Sequence, residues 1–125
     1  MYTLDQLNIR KASETPFEFE LKIDGKETGI FLSVVGQQSE TFVKAASEIS
    51  AEYELAKGLE SPASFVQSDR VKDMTNRLVA ARIAAWKGIA EPCTPANALQ
   101  LISTNTDAFA QVLENSNRVS NFIKL

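Results

Sequence analysis

Along residues 17–23 apolar side chains alternate with charged ones: Phe17, Phe19, Leu21 and Ile23 are separated by Glu18, Glu20 and Lys22. A period of two puts the two sets on opposite faces of a β-strand, one apolar and one wet. Asp24-Gly25 supplies a tight-turn signal, and Gly29 offers the alternative of a longer loop. The return segment "GIFLSVV" is apolar on both faces, so it must be covered on each side or lie against another element, and Gly36 ends it. Residues 16–36 are therefore predicted as a β-hairpin.

From Gln37 the period lengthens to that of a helix. Phe42, Ala46, Ile49, Tyr53 and Ala56 follow one another at four, three, four and three residues, a narrow heptad-like stripe. Ser39 is positioned as the N-cap and Gly58 as the residue beyond the C-terminus. "GLESPAS" then breaks the pattern. A third element, starting at Phe65 or Asp69 and ending at Trp86 or Gly88, carries a broad stripe of Val71, Met74, Leu78, Val79, Ile83 and Trp86. Pro92 blocks its resumption. In "CTPANALQLIS" Thr94 is the expected N-cap of a short helix with Pro95 at its first position, where the missing N–H costs nothing. Ala98, Leu99 and Ile102 form its inward face. "STNTD" is a further break, and a last helix over about 107–123 carries Phe109, Val112, Leu113, Val119, Phe122 and Ile123 at helical spacing. The expected fold is α+β: a single domain over 1–125, an N-terminal β-hairpin (16–36) followed by a mainly α-helical part (37–125) of about four helices.

Composition narrows the chemistry. The chain of 125 residues has 44% hydrophobic and 23% charged residues, which fits one packed globular domain. No stretch predicts a membrane span or a signal peptide, and the single cysteine, Cys93, agrees with a reducing compartment. The absence of histidine removes the commonest general base, the commonest metal ligand and the usual partner of a nucleophilic serine or cysteine. Cys93 stands just before a predicted helix N-terminus, which would lower its pKa, but it lacks a histidine base and reads as a small half-buried residue. Glu52 and Glu54 fall on different helical faces, so no metal site is predicted. "DGKETG" lacks the strand–loop–helix setting of a phosphate loop. Catalytic residues, metal and cofactor are all expected to be absent.

Two charge patterns remain. Residues 1–62 hold eleven acids against six bases and residues 63–125 five against seven, a polarity compatible with head-to-tail association or with two solvated faces of a monomer. Arg70, Lys72, Arg77, Arg82 and Lys87 line one predicted helix, which raises a small nucleic-acid-binding or regulatory module as an alternative. Asp69 and Asp73 interrupt the run, and the bases do not share a face. Trp86, Phe109 and Phe122 are expected in the core, and the 42–56 stripe is the better candidate for packing a partner helix.

The order of these segments resembles the small tail assembly chaperones of long-tailed bacteriophages and prophages. In that family a tryptophan and glycine close a helix, a Pro-Cys-Thr-Pro-like stretch follows, and a short leucine-rich helix leads to a final segment ending near a phenylalanine. The positions that carry the likeness are Trp86, Gly88, Glu91, Pro92, Thr94, Pro95, Asn97, Ala98, Leu99 and Phe122, within residues 78–123; the hairpin is similar in outline. The resemblance implies a non-enzymatic protein of the host cytoplasm that coats the tape measure protein, yields to tail tube protein as the tube polymerises, and is missing from the mature virion. It also implies a family often made in two lengths by ribosomal frameshifting. Self-association is expected to be possible, with no role for nucleic acid or membrane. A structural tail or connector subunit is the alternative within the same setting. The partner-binding residues are not marked by any motif.

Overall fold

A computed structural model describes residues 1–59 and 69–123 of the chain. The alternation over 17–23 folds as predicted into strand β1 (Phe17–Ile23), which pairs antiparallel with β2 (Lys26–Val34). The connection is the shorter of the two loops. Asp24 and Gly25 both have positive φ, 53° and 75°, the signature of a two-residue type I′ turn. The doubly apolar β2 is the central strand of a three-stranded sheet, order β1-β2-β3, whose third member is Ile83–Lys87.

That third strand corrects the sequence reading. The helix expected to reach Trp86 or Gly88 stops at Ala80: helix α3 spans Asp69–Ala80, and Ala81 and Arg82 turn the chain into β3. Ile83 and Trp86, three residues apart, share a face in a helix but not in a regular strand. Instead, Val34 pairs with Ile83 and Ser33 with Ala85, so β3 carries one extra residue, Ala84, in a β-bulge. The bulge resets the alternation and brings Ile83 and Trp86 together on the inner side, where both pack against the core. Trp86 and Gly88 thus close a strand, not a helix as the family pattern implies.

The helices otherwise follow the predicted order. A short α1 (Ile9–Ala12) precedes the hairpin, and α2 (Glu40–Leu59) follows it, capped by Ser39, whose Oγ accepts the Phe42 N–H at 3.1 Å. The Glu14 carboxylate adds a second cap, accepting from the Thr41 N–H at 2.9 Å and the Thr41 hydroxyl at 2.7 Å, and these bonds hold its pKa below the usual carboxylate range. On the α2 stripe Phe42 and Ile49 are buried, and Ala46 and Tyr53 half-buried. Gly58 lies in the last turn of α2 and not beyond it. The break predicted at "GLESPAS" falls, from Glu60 onward, outside the described residues, as does Phe65, the earlier start considered for the next helix. Thr94 caps α4 (Pro95–Thr104) through the Asn97 N–H at 3.2 Å, with Pro95 in the first turn as expected.

Helix α5 (Thr106–Asn117) is shorter than predicted. Arg118 takes extended backbone angles and a single 3-10 turn, Val119–Asn121, follows. Five of residues 115–121 are Asn or Ser, whose side chains compete for backbone groups. The Asn121 amide donates to the Asn115 carbonyl at 3.0 Å and holds the reversed chain. Phe122 is thereby returned to the sheet, edge-to-face on Phe17 with 6.3 Å between ring centres.

The core lies between the sheet and helices α3, α4 and α5. Leu21, Leu32, Val34, Val79, Ala80, Ala98, Ile102, Ala108 and Val112 form it, with Trp86, Phe109 and Phe122 packed on its margin as expected. Helix α5 also serves the sheet margin directly. The Gln111 side chain donates to the Lys22 carbonyl at 2.7 Å and accepts the Lys22 N–H at 3.0 Å, where β1 leaves its register with β2. Among the described residues no helix is long and apolar enough to cross a membrane.

Candidate functional site

Helix α2, whose apolar stripe is only one residue wide at each turn, packs chiefly on α3. A groove of about 610 Å³ opens between α2, the end of α3, the start of β3 and the N-terminus of α4. Its floor is Ile49, Ala80, Ala98 and the half-buried Ile83 and Leu99. Its walls are built largely of alanine: Ala45 from α2, Ala81 after α3, the exposed bulge residue Ala84 from β3, and Ala96 from α4. Small walls leave backbones accessible, and the groove is of a size usual for ligand or side-chain recognition. The shape and apolar lining of the cleft suit it to apolar side chains.

Charge collects on one rim. Glu48 and Glu52 project from α2 one turn apart, and the Arg77 guanidinium of α3 reaches Glu52. The Arg77 hydrogen bond and charge hold the Glu52 carboxyl below its ordinary range, and the same contact raises Arg77. Both side chains meet solvent, so the pair orients the rim and adds little stability. Glu48 makes no ion pair among the described residues, which leaves that rim acidic.

Cys93 lies on the groove wall beside Thr94 and is half-buried. Its position before α4 would favour the thiolate, yet desolvation dominates and pushes the thiol up. Burial thus overrides the helix end, in keeping with the reading of Cys93 as a packing residue. The expected result is alkylation by iodoacetamide at pH 8 that is several-fold slower than that of free cysteine in the folded protein and equal to it in urea, followed by mass spectrometry. Equal rates without urea would mean that the thiol is open and activated.

The five bases considered for nucleic acid do not share one helix or one face. Only Arg70, Lys72 and Arg77 belong to α3, and Arg77 is engaged by Glu52. Arg82 is 8% exposed in the turn after α3, and Lys87 stands on β3 with its ammonium 3.3 Å from Glu18. No basic stripe results, and the alternative loses the feature that raised it. Among the described residues no group of three or more Cys, Asp or Glu side chains is placed to hold a metal ion, and Glu52 and Glu54 form no such cluster.

Sequence reasoning reached α2 as the element to watch and missed the groove, since alanines drawn from four separate elements carry no signal of their own. It also missed the first eight residues. The spacing of Thr3 and Gln6 matches a capping box, and the structure forms one: the Gln6 N–H donates to Thr3 Oγ1 at 3.2 Å and the Thr3 N–H to Gln6 Oε1 at 2.8 Å. Comparison with models of known families, with curated proteins and with solved structures finds no match.

Proposed function

We propose that the protein is a tail assembly chaperone, a non-enzymatic binder that keeps a tape measure protein soluble while a phage tail is built. One observation carries the reading: an open, alanine-walled apolar groove beside α2, on a chain whose segments 78–123 resemble that family. A tape measure protein presents long apolar helical stripes before tube subunits cover them, and a helix laid in such a groove buries its anchors at i, i+3, i+4 and i+7. Each site would be weak, and many copies along one partner give strong overall coating. Release then requires only that tail tube protein compete better for the same stripes, with no nucleotide or covalent step. The protein would act in the host cytoplasm and leave before the virion matures.

The test is co-expression with the longest helical protein encoded close downstream. The expected outcome is that a partner insoluble alone becomes soluble in a complex holding many copies of this protein, and that purified virions lack it. A partner that stays insoluble would overturn the reading, and retention in virions would favour a structural tail subunit.

A further inference from the structure

The groove is apolar and acid-rimmed, and elsewhere on the same chain lies a segment that fits it. Residues 1–8 contribute no buried side chain, yet Tyr2, Leu4 and Leu7 are 56%, 90% and 46% exposed. Among the described residues beyond this segment the exposed large apolar side chains are Ile23 on β1 and Val43 and Leu55 on α2, twelve positions apart, a scatter that is ordinary for a surface. A cluster within six residues is not ordinary, and it sits on prepared backbone. The capping box of Thr3 and Gln6 fixes a first helical turn, continued by the Leu7 N–H donating to the Thr3 carbonyl at 3.3 Å. Leu4 and Leu7 stand at i and i+3 of that turn, and after a break at Asn8, where ψ is 85°, the short helix α1 brings Arg10 and Lys11 close behind them in the chain. Among the described residues the Lys11 ammonium is engaged only by a surface contact to Asp5 at 3.5 Å, which is readily exchanged.

We propose that the N-terminal segment of one copy docks in the α2–α3–α4 groove of a second copy, Leu4 and Leu7 filling the alanine-walled cleft and Arg10 and Lys11 meeting Glu48, the rim acid that Arg77 leaves uncompensated. None of the groove-lining residues belongs to the N-terminal segment, so each copy offers one plug and one socket. Such a heterologous contact is not self-limiting: it closes into a ring or continues as an open filament. The inference goes beyond the chaperone reading and does not rest on it, since self-docking and tape measure binding are read by separate measurements.

The test is light scattering on a sizing column from about 1 μM to about 1 mM, a range that reports weak to moderate association. The wild-type mass is expected to rise with concentration at least twofold above the 13.7 kDa monomer. The double variant Leu4→Glu/Leu7→Glu lacks the plug, and Ala84→Arg obstructs the socket with bulk and a charge that repels Arg10 and Lys11. Each should stay monomeric. All three positions are exposed, so the fold should persist, checked by circular dichroism. An equimolar mixture of the two variants retains one good plug and one good socket, and should stop at a dimer. A synthetic peptide of residues 1–12 in excess should return the wild type to monomer, a result that needs no variant. A wild type that stays monomeric throughout, variants that associate as it does, or a peptide without effect would each overturn the proposal.

Discussion

Replacing Gly88 by alanine is expected to destabilise the protein by about 2–4 kcal/mol, in the range for backbone strain combined with a steric clash. Gly88 has φ +86°, a region costly for any residue with a Cβ, and a Cβ built there would lie 2.7 Å from the Gly29 carbonyl oxygen and 3.2 Å from the Ile30 Cα. Both contacts are backbone of the central strand, so relief requires β2 and β3 to part. Gly25 supplies the control: its φ is +75°, but a Cβ there meets nothing within 4 Å. Gly25→Ala should therefore cost only the conformational share, about 1 kcal/mol. Urea unfolding of both variants separates strain from clash. Equal losses would show that the close approach of the strands is not what selects glycine at 88.

The second large effect concerns Arg82, a cation buried without a carboxylate among the described residues. Its guanidinium lies 4.5 Å from the centre of the Phe42 ring and donates to Asn117 Oδ1 at 2.7 Å, while its Nε has no partner. Burial alone lowers its pKa. The site is tolerable because the charge sits just past the C-terminus of α3 and on the last residue of α5, the negative ends of two helices. Arg82→Ala empties a buried site, removing the stem together with the guanidinium that lies over Phe42, and leaves Asn117 Oδ1 without its donor, so a loss of about 3 kcal/mol is expected. Arg82→Met also leaves Asn117 Oδ1 without its donor, but it fills the buried site and removes the desolvated charge, so it should cost about 1 kcal/mol or less. Denaturation midpoints that fall equally for the two variants would refute this division between stem and charge.

These two residues also mark where the sequence was readable and where it was not. The alternation of Phe17, Phe19 and Leu21 and the caps at Ser39 and Thr94 are local signals, and each gave the right element. The apolar run of β2 correctly demanded neighbours. Strand β3 was illegible because Leu78, Val79, Ile83 and Trp86 keep helical spacing amid alanines, which favour helix. What decides against helix is pairing with Leu32 and Val34, some fifty residues earlier, a gain that no local propensity contains. Gly88 was read as ending an element, with its positive φ serving a strand in place of a helix. Arg82 was read as one of a row of surface bases, since burial of a charge is set by what folds over it. The groove was hidden for a related reason: its walls meet only when four elements have assembled.

The double hydrogen bond between Gln111 and Lys22 has a consequence for how the molecule behaves in crowded solution. β1 is an edge strand, and edge strands carry unused N–H and C=O groups on which another chain can add a strand and begin to aggregate. At Lys22 both groups are already taken by a side-chain amide, which imitates a neighbouring strand one residue long and, being anchored on α5, cannot be extended. Two residues on, the Asp24 N–H is likewise directed to Asp107 at 3.4 Å, so an incoming strand finds the ladder interrupted at its turn end.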